Sequence, residues 1–135
     1  EEYTKKIQIE GRVLGDIARN HVIPTAITYQ NTLIANVKGL KDIFGNEFEK
    51  YASEQINLIR EISGHISTII STVDKMTDER KKANKIDHAD KKADAYCKNV
   101  KPLFDKIRYA CDKLELLIDD ELWPLNKYRE LLFVR

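Results

Sequence analysis

The chain is poor in everything that interrupts a helix. It has five glycines and three prolines in 135 residues, while charged residues make up 33%. That profile favours long helices over a sheet. No stretch alternates apolar and polar residues between turn signals, so strands are not expected. No apolar run approaches the roughly 18 residues that span a bilayer, and no signal-peptide pattern opens the chain. The expectation is a soluble, cytoplasmic protein with no membrane partner. Excess charge is also missing: 23 Lys and Arg stand against 22 Asp and Glu, a net charge of +1. No global field then steers the chain to nucleic acid or to a membrane surface. Cysteine is limited to Cys97 and Cys111. On one helix these would share a face roughly 21 Å apart along the axis. A disulfide needs Cα atoms within about 7 Å, so the expectation is two buried, unpaired thiols. The chain opens at Glu1, without Met and inside a charged helical pattern, which reads as a fragment cut from a longer protein.

What is present is long-range helical periodicity. From Glu47 to Ala83 the residues Ala52, Gln55, Ile59, Ile62, Ile66, Ile69, Val73, Met76, Arg80 and Ala83 recur at steps of three and four. Only Gln55 and Arg80 break the apolar row. That spacing keeps one stripe of a 3.6-residue helix on one side. Glu54, Asn57, Arg60, Glu61, Ser67, Ser71 and Lys75 fall on the other. A helix of this length would run roughly 55 Å. Its stripe must be covered, because burying it is the main stabilising term.

The covering segments lie on either side in sequence. Residues 2–44 read as a first helix, kinked at Pro24, which offers no N–H to the carbonyl of Asn20. Beyond the kink it carries two adjacent apolar sides. One holds Ile23, Ile27, Ile34, Val37 and Phe44; the other holds Val22, Ala26, Tyr29, Leu33, Leu40 and Ile43. This is more than two partner helices cover. Gly11 and Gly15, one turn apart, fit either a close helix crossing or a tolerated surface position. Phe44-Gly45-Asn46-Glu47 predicts a tight turn, with Gly45 ending one helix, Asn46 capping the next and Glu49 completing a capping box. The second helix is predicted over 47–84, and Asp87 is expected to cap a third over 88–119, with Asp90 in its first turn. The third stripe is Ala93, Tyr96, Val100, Leu103, Ile107, Ala110, Leu114 and Leu117, broadened by Cys97, Phe104, Cys111 and Ile118. Pro102 should bend it. Asp119-Asp120-Glu121 opposes the dipole at a helix C-terminus, so either the helix ends before it or basic partners meet it. Pro124 is expected to stop the helix. The apolar tail 120–135 should then dock on the bundle or on a neighbour. The predicted fold is an all-α, up-down-up bundle of three long helices with a short C-terminal helical tail, forming a single domain over 1–135.

Catalytic chemistry finds little to build on. His21, His65 and His88 are scattered, and Glu61 with His65 would make at most half of a metal site. The paired Glu-x-x-His motifs of di-iron bundles are missing, and there is no zinc-type Cys/His cluster. Asp119, Asp120 and Glu121 could form an acid/base or magnesium cluster, but a helix end pairing with Lys or Arg explains them as well. Arg80, Lys81, Lys82, Lys85, Lys91 and Lys92 could take phosphate or an acidic partner. The interleaved Asp78, Glu79, Asp87, Asp90 and Asp94 favour a solvated charged tip instead. No phosphate loop follows a strand, and no nucleic-acid motif or aromatic platform occurs. Catalytic, cofactor-binding and metal-binding residues are all expected to be none.

Two stretches carry a family likeness: residues 1–26, with Glu1-Glu2-Tyr3-Thr4-Lys5-Lys6-Ile7 through Asn20-His21-Val22-Ile23-Pro24, and residues 112–133, with Asp119-Asp120-Glu121-Leu122-Trp123-Pro124-Leu125 and Tyr128-Arg129-Glu130-Leu131-Leu132-Phe133. They resemble the C-terminal region of bacterial type III glutamine synthetases. Asn126 departs from the expected proline and Thr28 from an expected charged residue. The resemblance implies a parent enzyme that joins ammonia to glutamate with ATP and magnesium, assembled as two stacked hexameric rings. None of that family's catalytic motifs matches a position here, so no cofactor is expected in this piece. Its expected partners are the catalytic domain of its own chain and neighbouring subunits. The expected role is a non-catalytic accessory domain for oligomer assembly or regulation. A free-standing helical adaptor that binds a partner helix on the first helix is the alternative. A direct catalytic part for Asp119 to Glu121, or for Arg129, is a third reading.

Overall fold

The structure, a computed structural model, describes residues 2–118. Every element among them is helical. Helix α1 (Glu2–Ile17) passes through one π-helical turn (Ala18–Val22) into α2 (Ile23–Phe44). A 3-10 turn (Gly45–Glu47) leads to α3 (Glu49–Asn84). After a short turn, α4 (Ala89–Ala95) runs through a second π turn (Tyr96–Val100) into α5 (Lys101–Leu117).

The π turns are how the helices absorb their prolines. Pro24 and Pro102 are each the second residue after a π turn. In an α-helix the proline ring strikes the carbonyl four residues back. A π turn closes to the fifth residue and widens the ring at that spot. Accordingly the Ile23 N–H reaches the Ala18 carbonyl, and the Lys101 N–H reaches that of Tyr96. Both helices continue.

The extra residue also moves the buried stripe. In α5 it centres on Phe104, 1% exposed, while Leu103 in the expected row is half-buried. In α2 it takes Val22, Ala26 and Leu33, and leaves Ile27 and Ile34 exposed. Cys97 falls outside the stripe and is exposed, so of the two thiols expected to be buried only Cys111 is; neither forms a disulfide.

Helix α3 supplies the middle of the core. Ala52, Ile62, Ile69, Val73, Met76 and Ala83 are buried, with Ile59 and Ile66 half-buried beside them. Its polar side, including Glu54, Asn57, Ser67 and Lys75, is exposed. Pairs across α1, α2 and α3 run in opposite order along the two segments. Gln8 meets Asn84, Arg19 meets Asp74, Gln30 meets Ile59 and Ser63, and Asn36 meets Gln55. Gln55, one of the two breaks in the apolar row, is thus explained by the Asn36 amide at 3.1 Å.

Gly11 and Gly15 lie at a close crossing. A Cβ on Gly11 would sit 3.4 Å from the Phe104 ring, and one on Gly15 would sit 3.5 Å from Met76 Cε. Larger side chains here would push α1 off α3 and α5.

Both helix starts differ from expectation. Gly45 does take positive φ (60°). The capping box at Asn46 and Glu49 does not form, because helical backbone winds back through Phe48. The Phe48 N–H donates to the Gly45 carbonyl at 3.1 Å, and the Ala52 N–H to that of Phe48 at 2.9 Å. Backbone carbonyls therefore take the place of the Asn side chain. At the second turn His88, with φ −84° and ψ 127°, stands at the cap of α4 in place of Asp87. The turn after Asn84 consumes one residue more than the sequence suggests, through Lys85 and Ile86 bonds to Lys82 and Ala83. Asp90 does sit in the first turn of α4. Helix α5 stops at Leu117 rather than near 119, because Ile118 is extended (φ −91°, ψ 145°). The helix thus ends before the acidic cluster, and Pro124 is not what stops it. Asp119, Asp120, Glu121 and the tail through Arg135 lie outside the described residues.

Candidate functional site

The sequence candidates for chemistry are dispersed over the fold. His21 is exposed, with Nε2 3.9 Å from Asp16 Oδ2. His65 is half-buried on α3, 3.6 Å from Glu61 Oε2. His88 is exposed at the start of α4. Among the described residues no three His, Cys, Asp or Glu side chains gather as a metal would need. Of the basic group, Lys81, Lys82, Lys85 and Lys91 are exposed, and Arg80 and Lys92 are half-buried. Lys82 Nζ pairs with Glu79 Oε2 at 3.5 Å.

A polar cluster that periodicity did not reveal locks three segments together. Tyr96 is fully buried on the stripe, and its hydroxyl needs a partner there. It donates to Asn84 Oδ1 at the end of α3. Gln8 Nε2 on α1 donates to both, at 2.8 Å to Tyr96 Oη and 2.9 Å to Asn84 Oδ1. The available signal was two amides at the levels where a buried tyrosine must arrive. Near it, a hydrogen bond with the Cys97 thiol raises the pKa of Tyr3 above its ordinary value, helped by desolvation and by the negative charge of Glu10.

The other notable surface is apolar and lies at the α2–α3 turn. Phe44 and Tyr51 stack with ring centroids 4.0 Å apart, yet both remain exposed. Ile43 beside them is 74% exposed. Burial of such side chains is favourable and is incomplete within this chain.

Comparison with known proteins bears on what this surface belongs to. Residues 1–41, which span α1, the first π turn and most of α2, match the family model described as "Glutamine synthetase C-terminal domain". Glutamine synthetase of Bacteroides fragilis (strain YCH46) is 48% identical over 136 residues, covering all of this chain and 19% of the relative. The chain is similar to a glutamine synthetase C-terminal domain. Type-3 glutamine synthetase of Dictyostelium discoideum is 24% identical over 136 residues, again across the whole chain and 18% of the relative. The type III resemblance read from the two terminal stretches therefore holds. The chain spans about a fifth of the length of these curated synthetase relatives. No helix among the described residues is long and apolar enough to cross a membrane.

Proposed function

We propose that this chain is the non-catalytic C-terminal accessory domain of a type III glutamine synthetase, and that it serves assembly of the oligomer or its regulation. The parent would ligate ammonia to glutamate in the cytoplasm with ATP and magnesium, on residues outside this piece. The domain is read as an up-down-up bundle, an order consistent with the reversed pairing of α1 and α2 against α3. Its partners would be its own catalytic domain and neighbouring subunits of a double hexamer.

The observation that carries this reading is the uncovered apolar tip of Ile43, Phe44 and Tyr51. Aromatic side chains held rigidly on a surface are the usual anchors of protein interfaces. The tip lies at the turn that joins α2 to α3, beyond the Asn36–Gln55 pair. The tail with Trp123 and Tyr128 offers further anchors of the same kind by sequence.

The test uses the full-length synthetase. Sedimentation and turnover are measured for wild type, a truncation before Glu1, Phe44→Ser/Tyr51→Ser and Trp123→Ala. The expected result is a smaller or less stable oligomer for the truncation and for at least one anchor variant, with chemistry lost only as assembly is lost. A truncated enzyme that keeps both its native oligomer and full turnover refutes the assembly role.

A further inference from the structure

Arg80 stands where the apolar row of α3 calls for a hydrophobic residue, between Met76 and Ala83. Its Nε is shut off from water and has no hydrogen-bond partner. No ion pair satisfies its guanidinium among the described residues, in contrast to Gln55, the other break in the row. An unpaired buried donor is costly, and a charged one more so. The position also opens onto a groove of about 260 Å³ between α1 and α3. Gly11 and Gly15 line it, and Arg12, Arg19 and Arg80 border it. Arg12 is exposed and has no partner among the described residues. Arg19 is held by Asp74 at 3.0 Å. The facing carboxylate, Asp16, accepts a hydrogen bond from Asn20 at 2.6 Å. Three guanidinium groups therefore meet two carboxylates, and the two unpaired ones both border the groove.

We propose that this groove binds a phosphate-class oxyanion, with Arg80 and Arg12 as the chelating pair and Arg19, fixed by Asp74, as a positioning charge. A guanidinium presents parallel N–H donors that match two phosphate oxygens at once. The site is separate from the exposed lysines of the second turn, and it does not depend on the assembly role. The anion can arrive as free phosphate or as the phosphoryl group of a small metabolite, and the volume accommodates either.

The chain is titrated with inorganic phosphate, with glycerol 3-phosphate and with succinate, each at constant ionic strength made up with chloride. Amide signals of Gly11 and Gly15 and the Nε–H signal of Arg80 are followed by NMR. Saturable shifts at these three groups with either phosphate compound support the site, and the stronger of the two identifies the source. Arg80→Met, which keeps the packing stem, should weaken binding by about tenfold or more, the loss expected for one charge-assisted hydrogen bond. Arg12→Gln, at an exposed position, should weaken it measurably without disturbing the fold. Lys38→Gln, on the exposed side of α2, should leave it unchanged. Three results overturn the proposal: shifts that are linear and spread over all basic residues, saturation by succinate but by neither phosphate, or binding unaltered in Arg12→Gln and Arg80→Met. The last would mean that Arg80 only lays its stem over Gly11 and carries its charge to solvent.

Discussion

The burial gradient along α3 can be tested by truncating neighbouring positions on it. Ile62 is fully buried in the core, Ile66 one turn on is half-buried, and Ser67 is exposed. Ile62→Ala deletes three carbons, which at about 0.8 kcal/mol each comes to roughly 2.4 kcal/mol of lost transfer energy. The hole left between α3 and its neighbours adds a cavity cost, since packed helices relax only in part. The total should be about 3–4 kcal/mol, inside the range of about 2–5 seen for such changes. Ile66→Ala removes the same atoms from a site already partly in water. Its cost should be about half as large, roughly 1–2 kcal/mol. Ser67→Ala should stay within about 0.5 kcal/mol. Urea melts give the three values from the midpoint at constant slope. An Ile66→Ala loss equal to or larger than that of Ile62→Ala would mean that the stripe faces the core at a different angle. A Ser67→Ala loss of the same size would mean that the wrong face of α3 has been taken as buried.

Gly64 sits inside α3 with open space where a Cβ would go, so Gly64→Ala should raise stability by about 1 kcal/mol, whereas Gly45→Ala, at φ 60°, should lower it by about 1–3 kcal/mol; opposite signs in the same urea melt are the check. Tyr96→Phe leaves Gln8 and Asn84 without the hydroxyl they share and should cost about 1–3 kcal/mol, with faster amide exchange at the α3–α4 turn; an unchanged melt would show that the cluster contributes nothing. The raised pKa of Tyr3 means that its hydrogen bond with Cys97 stabilises the fold fully below the ordinary value of 10.0 and fades as pH rises through the folded pKa. Tyr3→Phe should therefore flatten the alkaline decline in stability, and a decline identical to wild type would remove Tyr3 as its source.

The helical class and the approximate extents of the helices were legible because periodicity acts over tens of residues, and one misplaced side chain hardly changes it. Ala52 through Ala83 fell on the buried side of α3 with Gln55 and Arg80 as the marked exceptions. Less legible was anything decided by a single backbone turn. Asn46 and Asp87 had the right chemistry for caps, but cap formation depends on where the preceding turn ends, and each turn ended one or two residues away. Gly11 and Gly15 suited two readings until Phe104 and Met76 were seen beside them. The Gln8–Tyr96–Asn84 cluster joins residues far apart in sequence, so no local pattern announces it.

The prolines show why local details escaped while the helical class did not. A proline read from sequence predicts a bend and a lost hydrogen bond. Here Pro24 and Pro102 each follow a π turn, and the helix continues with its phase advanced. Of the two apolar sides of the first helix, the one with Val22, Ala26 and Leu33 faces the core, while Ile27 and Ile34 of the other are exposed; in α5 Phe104 joins the expected Ile107, Ala110 and Leu114 in the core. Ile27 and Ile34 are thus part of the apolar surface that the first helix leaves exposed among the described residues. With the stacked Phe44 and Tyr51, these side chains are apolar surface whose burial would be favourable and that α2 and α3 leave exposed among the described residues.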